Sequence, residues 1–237
     1  MTCLYSNYNT HKKGYDTKPR LFAIGDINGD IKALQDIMLK IERHPLALND
    51  TIVFVGNLVG KGKGSRDVLS FVRNLHKKYT TNKIVILRGQ NDHKLLLSKK
   101  TYETSEDGRN VIDSFINPKT NKLDIRELCL ARKYIHSLPC MYETTKLVFT
   151  SSAIDISKPT KQQDIGFLMF RDPSFMYQID INFPKRVVHG NYPQKTIAIK
   201  KNLINLDSSK DNKLLSCVVF DSKSENPIDT IVTDRSA

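Results

Sequence analysis

Five short polar stretches carry the side chains best suited to chemistry. They are Gly25-Asp26-Ile27-Asn28-Gly29-Asp30, the glycine-rich run Gly56 to Gly64 (GNLVGKGKG), Arg88-Gly89-Gln90-Asn91-Asp92-His93, Ser151-Ser152-Ala153-Ile154 and His189-Gly190-Asn191-Tyr192-Pro193. Each follows an apolar run, so each reads as the turn at the end of a buried strand. In an open α/β sheet ligands bind in the crevice beyond the carboxyl ends of the strands, and Asp26 and Asn28 would point into it. The glycine-rich loop invites a phosphate-binding reading. Its spacing from Gly56 to Lys61 does not fit GxxxxGK[ST], however, and it contains no Gly-Lys-Ser/Thr triplet, so it is not a P-loop. The plainer reading of Asp26 is a cap for the following helix or a brace for the turn.

The elements that must position these turns follow from periodicity. Leu21-Phe22-Ala23-Ile24 is a buried strand. Ile31, Leu34, Ile37, Met38 and Ile41 then fall on one helical face. Thr51 to Val55 is a β-branched strand, and Val68, Leu69, Val72 and Leu75 make the stripe of a second helix. Lys83 to Leu87 is a third strand, followed by a helix through Leu95, Leu96 and Leu97. Three strand–turn–helix units in succession imply right-handed crossovers and a parallel sheet. Residues 100–145 read as a polar, mainly helical cap over the crevice. Strands follow at Lys146–Thr150 and Arg186–His189. Thr196–Ile199, Leu203–Leu206 and Leu215–Phe220 read as antiparallel strands of a second sheet. The organisation expected is a basic arm over 1–20, one domain over 21–222 and a tail over 223–237.

The chain has 37 Lys+Arg against 25 Asp+Glu, a net charge of +12, which favours acidic partners such as nucleic acid. The competing reading is a solvated lysine surface. Cys3, Cys129, Cys140 and Cys217 are too scattered for a zinc site or a disulfide framework, which suggests a reducing, intracellular compartment, either cytoplasmic or mitochondrial. No apolar run has the length of a membrane span, so a membrane partner is not expected.

Taken together and in order, GDINGD, GNLVGKG, GQND, SSAI and HGNYP resemble the GDxHG, GDxxxRG, GNHD, HAG and GHxP motifs of the calcineurin-like metallophosphoesterases. The stretch DTIVFVGNLVGKGKGSRDVLSFVRNL is similar to the symmetrical diadenosine tetraphosphate hydrolases, and the bacterial phosphoprotein phosphatases are close in pattern. The resemblance spans roughly residues 21 to 220. It implies a four-layer α-β-β-α fold in which two mixed sheets pack as a sandwich flanked by helices.

The resemblance also implies two divalent metals, Mn, Fe or Zn, held by Asp, His and Asn ligands that activate a bridging water. Matched position by position, most of that set is lost. The ligand positions are Asp26, Asn28, Asn57, Gln90, Ser151 and Asn191, and only Asp26 keeps a carboxylate. The position of the general acid is Asn91, and the Asp that orients it survives as Asp92. The phosphate-gripping Arg is Lys61, and Arg171 resembles a second one. A neutral carboxamide is a poor bridge between dications. The chain therefore reads as a catalytically inactive phosphoesterase-fold protein without cofactor, used as a structural or assembly component of a larger RNA-containing complex such as a ribosome or other ribonucleoprotein, with protein partners as well. The alternatives are a residual metal-dependent hydrolase relying on Asp26, Gln90 and Asp92, and a phosphate or nucleotide sensor. Lys61, Lys63, Arg66, Lys94 and Arg171 are the candidate phosphate or RNA contacts. His76, His93, His136 and His189 read as structural.

Overall fold

The computed structural model describes residues 18–44, 46–97, 103–178, 183–211 and 214–234. Most of the expected basic arm and the last three residues lie outside these segments.

Three strand–helix units open the fold. β1 (Arg20–Ile24) leads into α1 (Ile31–Arg43), β2 (Thr51–Phe54) into α2 (Ser65–Lys78), and β3 (Lys83–Ile86) into α3 (Gln90–Leu97). The three strands run parallel, with Phe22 opposite Ile52 and Ile52 opposite Ile84. α4 (Glu106–Asp113), a small hairpin of β4 (Ile116–Asn117) and β5 (Lys122–Leu123), and α5 (Ile125–Ser137) come next. The second sheet begins with β6 (Met141–Glu143) and β7 (Leu147–Thr150). It continues after α6 (Ile165–Phe170) with β8 (Arg186–His189), β9 (Ala198–Ile199) and β10 (Leu203–Asn205). β11 (Ser216–Asp221) and β12 (Pro227–Val232) close the chain.

The two sheets have the orders β12-β11-β1-β2-β3 and β6-β7-β8-β10-β9. Alternation along the strands makes them a sandwich. Leu21 and Ala23 of β1 face inward with Val53, Val85, Phe149, Val188 and Phe220. Phe22 and Ile24 face the other way, against Leu34, Ile37 and Ile41 of α1 and Val68, Leu69 and Val72 of α2. Val148, Val187 and Leu203 turn the outer face of the second sheet towards Ile154, Met176 and Phe183. This is the expected arrangement of two mixed sheets with flanking helices.

Three elements sit elsewhere than the sequence suggests. β11 pairs antiparallel with β1 and belongs to the first sheet, whereas β10 stays in the second sheet as expected, antiparallel to β9 and parallel to β8. Local pattern identifies a strand but not its partner, which is a long-range property. Residues 227–232 are an edge strand on β11 rather than part of a tail. α5 buries Leu128, Ala131 and Ile135 in the helical layer, so this part of the 100–145 segment flanks the domain. Asn110 of α4 reaches the glycine-rich loop from the side, its Nδ2 donating to the Lys61 carbonyl at 2.9 Å.

Candidate functional site

The five turns gather at one end of the sandwich. Asp26 follows β1 through Gly25 and is buried. Its Oδ2 accepts from Asn57 Nδ2 at 2.8 Å and from the Asn191 backbone N–H at 3.0 Å. Its Oδ1 has no hydrogen-bond partner and lies against Gly190, where a Cβ would fall 1.9 Å away. Burial is the main cause that lifts the Asp26 carboxyl well above the usual carboxylate range. The charges of Asp207 and Asp92 add to it, while the bonds from Asn57 and Asn191 oppose it.

Asn57 is the hub. It leaves β2 through Gly56 in the left-handed region, at φ 48°, a conformation that Asn tolerates better than most residues. Its Oδ1 accepts the Asn91 backbone N–H at 2.9 Å, which leaves its Nδ2 to donate to Asp26 and, at 3.2 Å, to Asn191 Oδ1. The amide cannot be turned over without facing one N–H with another and a carbonyl with a carboxylate. The turn must come close here: a Cβ on Gly89 would meet Asn57 N at 2.0 Å.

Carboxamide exchanges extend outward from this hub. Asn91 Nδ2 donates to Asn28 Oδ1 at 3.3 Å, and Asn91 Oδ1 accepts from Lys94 Nζ at 3.4 Å. Asn191 Nδ2 donates to Ser152 Oγ at 3.3 Å, and that hydroxyl donates to the Arg171 carbonyl at 2.7 Å. Asn28 and Asn191 share the left-handed backbone of Asn57. Gln90 opens α3 half exposed, and among the described residues no side-chain hydrogen bond joins it to the network. Ser151 is buried, and its Oγ is without a partner.

Asp92 is fully buried and binds backbone, with Oδ1 accepting from Val59 N at 3.0 Å and Oδ2 from Gly89 N at 2.8 Å. It thus ties the glycine-rich loop to the β3–α3 turn. Desolvation still pushes its carboxyl up to about 6, against these bonds. Asp26, expected as a helix cap, is not one: Asp30 caps α1, its Oδ1 accepting from Ala33 N at 3.0 Å. His189 is buried, and the Gly190 carbonyl beside Nδ1, at 2.8 Å, fixes that nitrogen as the donor. Nε2 therefore accepts from the Tyr177 hydroxyl at 2.8 Å, and burial depresses the ring to about 4, so it stays neutral. His93 packs edge-on against Phe170.

The five candidate cations have different surroundings. Lys61 lines a cavity of about 330 Å³ with Asp26, Asn28, Asp30, Ser209 and Asp211. Arg66 pairs with Asp124 at 3.5 Å, and Arg171 lies over the Phe175 ring at 5.1 Å. Lys63 is exposed on its loop, and only Lys94 touches the amide network. The crevice also holds a carboxylate outside the matched positions. Asp207, just past β10, is buried and interacts electrostatically with both Asp26 and Lys61. Sequence reading passed over Asp207 and gave Ser152 no role within its stretch, although both obey the same rule of a polar residue just beyond an apolar strand.

Among the described residues no three His, Cys, Asp or Glu side chains are arranged to hold a metal ion. The family model for the calcineurin-like phosphoesterases matches residues 19–212. A candidate diadenosine tetraphosphatase of known structure superposes with a TM-score of 0.65 at 18% identity, over 93% of this chain and 96% of that one. A protein serine/threonine phosphatase from Saccharomyces cerevisiae does so with a TM-score of 0.60 at 14% identity, over 94% and 82%. A metallophosphoesterase from Sphaerobacter thermophilus gives 0.54 at 14%, over 93% and 90%. These likenesses establish the fold. No protein of curated function matches the sequence significantly.

Proposed function

The chain belongs to the calcineurin-like phosphoesterase family, and we propose that it is a member without phosphoesterase chemistry that serves as a structural or assembly component of a larger, RNA-containing complex. The observation that carries the loss of chemistry is the Asn57 amide. The family resemblance places a carboxylate that bridges the two metals at position 57, whereas here Asn57 Nδ2, the positive end of a dipole, is aimed at Asp26 Oδ2 at 2.8 Å. That oxygen belongs to the one carboxylate kept at the matched ligand positions, and it is already taken by two N–H groups. The residues present do not fit a pair of divalent metals, since carboxamides bring no charge to offset two dications.

A residual hydrolase has less support, because Asp92 is engaged by backbone N–H groups and Gln90 stands apart from the network. A phosphate sensor is disfavoured by the three carboxylates, Asp26, Asp30 and Asp211, in the cavity that Lys61 lines. The assembly role is supported by the net charge of +12.

The test is elemental analysis of purified protein, followed by assays on nitrophenyl phosphate and diadenosine tetraphosphate with added manganese. We expect no stoichiometric transition metal and no turnover above background. Hydrolysis that disappears in Asp26→Ala would refute the reading.

A further inference from the structure

β3 is an edge strand of the first sheet, and its ladder shows which backbone groups remain open. Lys83 N donates to the Asp50 carbonyl at 3.2 Å and Leu87 N to the Phe54 carbonyl at 2.9 Å. Odd-numbered residues therefore bond to β2, and the N–H and C=O groups of Ile84, which is half-buried, and of Ile86, 9% exposed, point away from it towards the groove. The edge is closed just beyond, where Arg88 N donates to the Pro139 carbonyl at 2.8 Å.

Beside this open edge runs a groove of about 650 Å³. Its walls are largely apolar, built from Val72 of α2, Leu138 and Pro139 after α5, and the strand itself. Tyr142 of β6, the edge strand of the other sheet, forms its far side. The titratable groups lining it are Arg73, His76, Lys83 and the two tyrosines Tyr134 and Tyr142, and none is a carboxylate. Among the described residues no ion pair engages Arg73, His76 or Lys83. Lys83 is held in place, its Nζ 4.5 Å above the Tyr142 ring and 3.2 Å from that hydroxyl.

An exposed strand edge is a template for pairing, and proteins that keep one open for function use it for strand addition. The geometry points to such a site: the groove docks an extended acidic segment of a partner protein, which adds as a further strand beside β3. Backbone of the partner would satisfy both the N–H and the C=O groups of Ile84 and Ile86. Alternate side chains would then fall on the apolar wall and on the cations of the rim. RNA fits less well, because phosphate oxygens would face the outward carbonyls. None of these residues belongs to the crevice, so the site stands whether or not the crevice is inactive.

The test uses the full chain and a fluorescent peptide of about nine residues in which glutamate alternates with valine. Saturable binding is expected, with hydrogen exchange at the Ile84 and Ile86 amides slowed about tenfold or more at saturation. Replacing the glutamates by glutamine should weaken binding about tenfold. The surface double variant Arg73→Glu/Lys83→Glu should do the same while leaving the melting temperature unchanged. Absence of binding at millimolar peptide, or binding that leaves both amides exchanging freely, would overturn the proposal. So would displacement of the peptide by a uridine oligonucleotide whose own binding leaves those amides unprotected, since that result would assign the cations to RNA.

Discussion

The Asn57 carboxamide sets the electrostatics of the residues around it. Asp26 has been left as a buried acid with one bonded oxygen, one orphan oxygen and two acidic neighbours. Its folded-state proton affinity is raised, so its contribution to stability is fully present below the ordinary carboxylate pKa and is lost as pH rises towards the raised value. Asp26→Asn keeps an acceptor for Asn57 and Asn191 and removes the charge. We expect this variant to match the parent in acid and to melt above it at neutral pH, the gap widening as pH rises; calorimetry at several pH values measures it. The reverse change, Asn57→Asp, places a second carboxylate against Asp26. It should cost about 2–4 kcal/mol at pH 7 in metal-free buffer, and less in acid, where one of the two is protonated. A variant as stable as the parent at neutral pH would show that the pocket tolerates two negative charges. The carboxamides at Asn28, Asn57, Asn91 and Asn191 were legible in the sequence. What they bond to was not, because carboxamides pair in many ways and only the closed turns select one.

Helices were legible where one face is strictly apolar, as in α1, whose buried Leu34, Ile37, Met38 and Ile41 recur at helical spacing. Its start was less so, since the turn offers Asp26 and Asp30, and only hydrogen bonding separates a cap from a site residue. Asp30→Ala removes the acceptor for Ala33 N and should cost about 1 kcal/mol, lowering the melting temperature by about 2–4 °C. Urea denaturation should give the same loss, and no change at all would mean that the cap is redundant. β12 was hidden because Pro227 and Asp229 read as loop, yet proline is tolerated at the start of an edge strand, and Ile231 alone turns inward. Removing residues 227–237 would uncover the length of β11, including buried Cys217 and Val219. Such a truncation should aggregate on expression, measured as the soluble fraction. A soluble, monomeric product would show that β12 is dispensable.

Over the whole molecule, composition supplies a charge of +12 but not its distribution, and the distribution changes what the charge predicts. Arg66 is balanced by Asp124, and Asp207 faces Lys61, so reversing either cation would disturb the protein's own contacts before testing a partner. Lys63 is exposed on the glycine-rich loop, which makes Lys63→Glu the cleaner probe there. If the protein sits in an RNA-containing assembly, binding should rest on phosphate contacts that carry no sequence information. Trp is absent and the sequence carries no RNA-recognition signature with interleaved aromatics, so stacking on bases should contribute little. Two consequences follow for the purified chain. Its affinity for unrelated RNA sequences should be nearly equal. With about six to ten phosphates contacted, that affinity should fall by about 10³ to 10⁵ between 50 and 200 mM salt. Fluorescence anisotropy across a salt series measures both, and Lys63→Glu should lower the slope by about one contact if the loop takes part. Binding that ignores salt would need a different physical basis. No binding even at low salt would leave the cations as a solvated surface, and the partners of this domain would then be proteins meeting it through features such as the open edge of β3.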